Sequence, residues 1–202
     1  MLTGKLLSVG MYSISGIKED GMYTDKIKKI LFTEEEIKKR VAELGKQITE
    51  DYRDKDLVLV CLLKGAAWFC MDLNRAIDLP CQIDFMVVSS YGNGTETSGS
   101  VKVRLDVSCD LRGKDVLLID DIVDSGVTLG AISAMLKEHS PASVKTVALC
   151  DKADRRINGF KCDYVGFVIP DEFIVGYGLD FAQDYRNLPF IGVLKSSAYE
   201  KK

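Results

Sequence analysis

Leu57-Val58-Leu59-Val60-Cys61-Leu62-Leu63 is an unbroken apolar run of strand length. A strand with no polar face has to be covered on both sides, which places it in a sheet packed between helices. The neighbouring segments fit that layering. Thr33 and Glu36 form a capping box ahead of an apolar stripe, Ile37, Val41, Leu44, Ile48 and Tyr52, with helical spacing. Glu34, Glu35 and Glu36 oppose the positive end of that helix's dipole. Lys64-Gly65 ends the apolar run, Ala66–Ile77 reads as a second helix, and Pro80 closes the unit. Ile83–Ser89, Asp115–Ile119 and Val144–Cys150 are further strand candidates, with a helix from about Val127 to Glu138. Val101–Val107 alternates apolar and polar residues, the pattern of a half-exposed strand, and the Gly-, Thr- and Ser-rich Tyr91–Ser100 has the composition of a mobile loop. Lys26–Lys29 is expected to be a solvated turn before the first long helix, and residues 1–26 carry too little periodicity to assign. From Tyr164 onward, aromatics and glycines predict short strands and turns. Strands alternating with helices predict an α/β fold with a mainly parallel central sheet and right-handed crossovers.

Composition excludes several kinds of function. Lys and Arg total 27 against 30 Asp and Glu, so no global basic field draws in nucleic acid. No apolar run approaches the ~18 residues of a membrane-spanning helix, and Leu6–Met11 is too short and polar for a secretory leader. His139 is the single histidine, which excludes multi-His zinc sites; it lies near a helix end, where it complements the dipole. The six cysteines form no C-x-x-C pair and several, Cys61, Cys70 and Cys150, lie in apolar stretches, so they are expected to be buried, free and in a reducing cytoplasm.

The chemistry concentrates in Val116-Leu117-Leu118-Ile119-Asp120-Asp121-Ile122-Val123-Asp124-Ser125-Gly126-Val127-Thr128-Leu129. A strand delivers two adjacent carboxylates at its C-terminal end, where open α/β sheets bind ligands. The turn that follows opens a helix with Ser125, Gly126 and Thr128. Free amides there, with two hydroxyls and no side chain at the glycine, cradle a phosphate dianion. No Lys follows Gly126 as a P-loop requires. Carboxylates beside a phosphate repel it unless they face something else, and ribose hydroxyls or a metal ion are suitable partners.

This acidic-acidic-x-x-Asp-Ser-Gly-x-Thr pattern after an apolar strand resembles the type I phosphoribosyltransferases, which bind 5-phosphoribosyl 1-pyrophosphate (PRPP). Within that family the chain is similar to the hypoxanthine(-guanine) phosphoribosyltransferases, from about Ile30 to Val193. Leu63-Lys64-Gly65 matches the family's pyrophosphate-binding loop. Ser90-Tyr91 matches the dipeptide opening a flap over the site, and Ile169–Asp180 matches the purine-pocket segment. Val127 stands where some relatives carry Lys.

The resemblance implies a single phosphoribosyltransferase domain over residues 1–202, its core at about 33–165 and a small hood from about 1–30 and 166–202. It implies that Asp120 and Asp121 hold the ribose hydroxyls, that the loop Asp124–Thr128 takes the 5′-phosphate, and that Asp124 is the acid/base at purine N7. Lys64, Gly65 and Arg186 would bind pyrophosphate. Lys152 would donate to the purine 6-oxo group, Phe173 would stack on the base, and Ile174 and Asp180 would address its N1–C2 edge. Mg²⁺ is the implied cofactor, ligated by Asp180 with substrate oxygens, Asp120 and Asp121 being further candidate ligands. The implied reaction converts PRPP with hypoxanthine or guanine to IMP or GMP plus pyrophosphate, in cytoplasmic purine salvage by a homodimer or homotetramer, with no nucleic-acid or membrane partner. Two alternatives share the motifs: a xanthine- or guanine-preferring relative, and a non-catalytic PRPP-binding regulator acting on nucleic acid. The regulator needs a basic surface, which a net charge of −3 does not suggest.

Overall fold

The computed structural model describes residues 24–90, 101–157 and 159–199. In chain order the elements are β1 (Ile27–Phe32), α1 (Glu34–Asp51), β2 (Leu57–Leu63), α2 (Ala67–Ala76), β3 (Cys81–Ser90) and β4 (Val101–Leu105). They continue with β5 (Asp115–Val123), α3 (Val127–Lys137), β6 (Ser143–Asp151), β7 (Tyr164–Val168), β8 (Ile174–Val175) and β9 (Ile191–Leu194). Two compact units result, one of residues 38–171 and one combining residues 24–37 with 172–199.

The larger unit is an α/β layer structure. Its six-stranded sheet has the order β4-β3-β2-β5-β6-β7. All neighbouring pairs are parallel except β3 with β4. In β2, Val58, Val60 and Leu62 join a buried cluster with Val116 and Leu118 of β5 and Leu129, Ile132 and Leu136 of α3. The alternate residues Leu57, Leu59 and Cys61 are just as inaccessible, so both faces of β2 are covered, as its sequence requires. The α1 stripe is buried as well. Its capping box is formed: the Thr33 amide donates to Glu36 Oε2 at 2.9 Å and the Glu36 amide to Thr33 Oγ1 at 3.3 Å. His139 follows α3 with Nε2 3.9 Å from Asp106, at the surface as expected. The six cysteines are free, and Cys61, Cys70 and Cys150 are buried. Among the described residues no helix is long and apolar enough to cross a membrane.

One buried carboxylate ties the segment after β4 to the sheet. Asp84 of β3 accepts hydrogen bonds from the amides of Ser108 at 2.7 Å and Cys109 at 2.8 Å through Oδ2, and from Phe85 at 2.8 Å through Oδ1. Burial disfavours its charge, but the amides outweigh burial and hold the pKa at about 2. Stability from this carboxylate is therefore complete above the ordinary aspartate pKa of ~3.9 and lost as the pH falls through the folded value. Asp84→Ala should cost about 1–3 kcal/mol in denaturant unfolding at pH 7, because it leaves three partly buried amides without their charged acceptor. A loss below about 0.5 kcal/mol would show that water satisfies them equally well.

The strand order turns back at β2: β3 lies to one side of it and β5 to the other. In open α/β sheets the carboxyl ends of strands at such a reversal border the ligand crevice. β5 pairs with β2 only from Asp115 to Ile119, but with β6 as far as Val123 opposite Asp151. That second ladder corrects the strand end expected near Ile119. Asp120 and Asp121 are still in extended backbone, on a stretch that has parted from β2.

The smaller unit is a three-stranded antiparallel sheet, β1-β9-β8. Ile27 pairs with Leu194 and Ile174 with Val193, over a cluster that includes Ile30, Val175, Tyr185 and Phe190. One expectation changes here. Lys26–Lys29 is not a solvated turn: β1 begins at Ile27, which is fully buried, while Lys28 and Lys29 pair with Glu172 at 3.2 and 2.8 Å. The larger unit runs to Asp171, and within it Tyr164–Val168 adds in parallel to β6 as an edge of the large sheet.

Candidate active site

The paired carboxylates are built into the end of β5. Asp120 Oδ1 accepts the Asp121 amide at 3.0 Å, and Asp121 Oδ1 accepts the Ile122 amide at 2.9 Å. Each side chain is thereby aimed by the backbone of the next residue. Asp120 keeps some surface open to solvent, yet its carboxyl is crowded by protein. Loss of water, reinforced by the adjacent Asp121 charge, pushes its pKa well above the carboxylate range. Two neighbouring carboxyls aimed by the backbone are suited to accept from vicinal hydroxyls.

Lys64 and Gly65 follow β2, and the Leu63–Lys64 peptide bond is cis. A Cβ on Gly65 would lie 1.7 Å from Asp121 Oδ2. No side chain fits there, and the missing one brings the loop backbone against the carboxylate. The sequence-predicted loop and acidic pair thus meet.

Beyond Val123 the chain turns into α3. Gly126 is the N-cap at φ +81°, a left-handed conformation that favours glycine, and its carbonyl accepts the Gly130 amide at 3.1 Å. Ser125 Oγ accepts the Val127 amide at 3.4 Å. The following first-turn amides lack partners within the helix by geometry. They border a cavity of about 160 Å³ whose lining includes Asp120, Asp124, Ser125, Gly126 and Thr128. This is an anion cradle beside a carboxyl pair.

Charged side chains from the end of β6 surround Asp124. Lys152 follows β6 and is only 8% exposed; its Nζ lies 3.4 Å from Asp171 Oδ1. Arg155 Nη1 is 3.4 Å from the same oxygen, and Arg155 Nε is 3.0 Å from Asp124 Oδ1. That last contact is an ion pair without hydrogen-bond alignment, since Asp124 Oδ1 has no hydrogen-bond partner. Arg156 donates through Nη1 to the Asp124 carbonyl at 2.6 Å and pairs through Nη2 with Asp151. Sequence reasoning singled out Lys152 but missed Arg155, Arg156 and Asp171. The available signal was the cationic run Lys152-Ala153-Asp154-Arg155-Arg156 immediately after a strand end.

The smaller unit carries the other predicted residues. Ile174 is buried in β8. Phe173 precedes it, 37% exposed, with its carbonyl accepting the Leu194 amide at 2.9 Å. Its ring stacks on Tyr199 at 4.9 Å between centroids and meets Phe181 edge-on at 5.6 Å. Asp180 and Arg186, assigned separately to metal and pyrophosphate, are joined here: Arg186 Nη2 is 2.7 Å from Asp180 Oδ1. Arg186 Nη1 donates to the Gly178 carbonyl at 2.7 Å, while its Nε is a buried donor with no partner. The connecting turn holds Ala182, Gln183 and Tyr185 at φ of +53°, +73° and +73°, conformations costly for side-chain-bearing residues. Of the flap dipeptide, Ser90 ends β3; its side chain and Tyr91 lie outside the described residues.

The described residues hold no group of three or more His, Cys, Asp or Glu placed to bind a metal. They supply hard carboxylate oxygens singly or in pairs, at Asp120–Asp121 and at Asp180. Either place by itself suits Mg²⁺, which keeps several waters and takes few protein carboxylates when substrate oxygens complete its shell.

Residues 29–182 match the family described as Phosphoribosyl transferase domain. The hypoxanthine-guanine phosphoribosyltransferase of Streptococcus thermophilus (strain CNRZ 1066) is 49% identical over 175 residues, covering 87% of this chain and 97% of its own. The enzyme of the same name from Bacillus subtilis (strain 168) is 48% identical, covering 86% and 97%. The crystal structure of a hypoxanthine phosphoribosyltransferase from Staphylococcus aureus superposes with a TM-score of 0.88 at 45% identity, covering 91% of this chain and 100% of its own. The chain therefore belongs to the phosphoribosyltransferase family. Within it, the relatives it resembles are those named for hypoxanthine and guanine.

Proposed function

We propose that the chain transfers the 5-phosphoribosyl group of PRPP to hypoxanthine and guanine, yielding IMP and GMP with pyrophosphate. The observation that carries this reading is the junction, on one strand–turn–helix, of a carboxyl pair, Asp124 and an anion cradle, with the buried Lys152 ammonium linked to it through Asp171 and Arg155. The bond from purine N9 to C1′ forms as the bond from C1′ to the pyrophosphate oxygen breaks. The proton at N7 passes to the Asp124 carboxylate, whose placement beside the cradle suits it to general base work.

The other groups divide the labour. Asp120 and Asp121 hold the ribose hydroxyls, and Ser125, Gly126, Val127 and Thr128 hold the 5′-phosphate through amides and hydroxyls. Lys64, Gly65 and Arg186 receive the pyrophosphate. When bound, Mg²⁺ would spread the charge of the departing pyrophosphate; Asp180, with Asp120 and Asp121 as further ligands, would hold it. Lys152 donates to the 6-oxo oxygen, Phe173 presents its ring to the base, and Ile174 and Asp180 address the N1–C2 edge. An ammonium has nothing to accept from a 6-amino group, so adenine is rejected by a site left unpaired. We place the reaction in cytoplasmic purine salvage and expect a homodimer or homotetramer.

Steady-state rates with hypoxanthine, guanine, xanthine and adenine, followed by ultraviolet absorbance with PRPP and Mg²⁺, test the proposal. Hypoxanthine and guanine should be converted and adenine should not. Absence of turnover with every base, beside salt-dependent retention of nucleic acid, would point to the regulator instead.

A further inference from the structure

Three side chains with no assigned part in the reaction surround its two polar reagents. Lys152 Nζ and Arg155 Nη1 both lie 3.4 Å from Asp171 Oδ1, and Arg155 Nε lies 3.0 Å from Asp124 Oδ1. The result is a chain of alternating charge, Lys152–Asp171–Arg155–Asp124. Arg156 fixes its far end by donating to the Asp124 carbonyl at 2.6 Å. We infer that Asp171 and Arg155 are positioning residues that hold the base-reading ammonium and the proton-accepting carboxylate in one mutual geometry. The inference rests on the roles proposed above for Lys152 and Asp124.

The physical case begins with Lys152. An ammonium on a four-carbon stem has many rotamers, and a reader of the 6-oxo group is useful only if its direction is set before the base arrives. Its side chain is 10% exposed, and Asp171, 57% exposed, is the carboxylate it reaches. An ammonium has three donors, so one held by Asp171 leaves others for the substrate oxygen. Arg155 acts the same way on Asp124. It takes Oδ1, which has no hydrogen bond of its own, so that Oδ2 is the oxygen assigned here to N7. Half-exposed ion pairs add little to folding. A connected run of them joining two reacting groups is therefore better explained by geometry than by stability. The distance between the groups that read O6 and N7 has to match one rigid purine, and a single bridging carboxylate with a planar guanidinium supplies such a spacer.

The test uses full-length variants with thermal unfolding measured alongside. Asp171→Asn should raise KM for hypoxanthine about tenfold while KM for PRPP stays within about twofold. Arg155→Ala should lower kcat about tenfold with KM for hypoxanthine nearly unchanged, and Arg155→Lys should recover most of that loss. Asp171→Asn added to Lys152→Ala should cost no more than Lys152→Ala alone, because the carboxylate acts through the ammonium. Should Asp171→Asn not fold, Asp171→Glu keeps the charge but displaces it and should raise KM for hypoxanthine in the same selective way. Parallel rises in both KM values, a full additive loss in the double variant, or unchanged kinetics in folded variants would overturn the inference. A parent chain that forms no IMP overturns the proposed reaction and this inference with it, a result distinguishable from the others because no variant is needed to see it.

Discussion

Asp124→Ala should lower turnover on hypoxanthine by ~10²–10⁴ while PRPP still binds. The size follows from the proposed proton transfer: the Asp124 carboxylate would take the N7 proton as N9 attacks, and alanine would leave that proton to bulk water. PRPP binding survives because the cradle does not use the Asp124 side chain. Its shape comes from the left-handed Gly126, the Ser125 hydroxyl and the first turn of α3, and the Asp124 carbonyl that Arg156 grips is still present in alanine. Single-turnover rates together with calorimetric titration of PRPP read the two effects separately. Turnover within threefold of the parent would remove Asp124 from the proton transfer.

The second large effect is expected at Lys152. Lys152→Ala should reduce kcat/KM for hypoxanthine roughly 10²-fold, the worth of a hydrogen bond from a charged donor in a dry site. The affinity for PRPP should change little. Lys152 is 8% exposed and its ion-pair partner Asp171 also has Arg155, so removing the ammonium leaves no carboxylate stranded. Competition assays with adenine complete the experiment: discrimination between hypoxanthine and adenine should narrow. Equal losses for hypoxanthine and PRPP would mean that Lys152 supports the fold of the loop instead of reading the base.

Much of the architecture was legible locally. Leu57–Leu63 agrees with β2 to the residue, because an all-apolar strand has no amphipathic alternative. Thr33 and Glu36 announced the start of α1, because a capping box is closed by residues three apart. The anion cradle was readable for the same reason: Asp120 to Thr128 is one continuous segment, and amides at a helix start need no distant partner. The end of β5 was not readable, since Ile122 and Val123 are extended through their ladder with β6. Lys28 and Lys29 read as solvated for a similar reason. Both pair with Glu172, on the other side of the large unit in sequence.

The candidate site divides along the same line. Residue identity and short spacing were enough to nominate the groups proposed to carry chemistry: the carboxyl pair, Asp124, the Ser-Gly-Val-Thr turn, Lys64-Gly65 and Lys152. They were not enough to say what each group touches. That Asp121 fills the space a Gly65 side chain would need, that Asp180 already holds Arg186, and that Arg155 bridges Asp124 to Asp171 are contacts between segments far apart or freely rotatable in the unfolded chain. Backbone propensity and apolar period act over one turn or one strand, so the order of residues carries them. Ion pairing and close approach depend on distances that exist only once separate strands have been laid side by side.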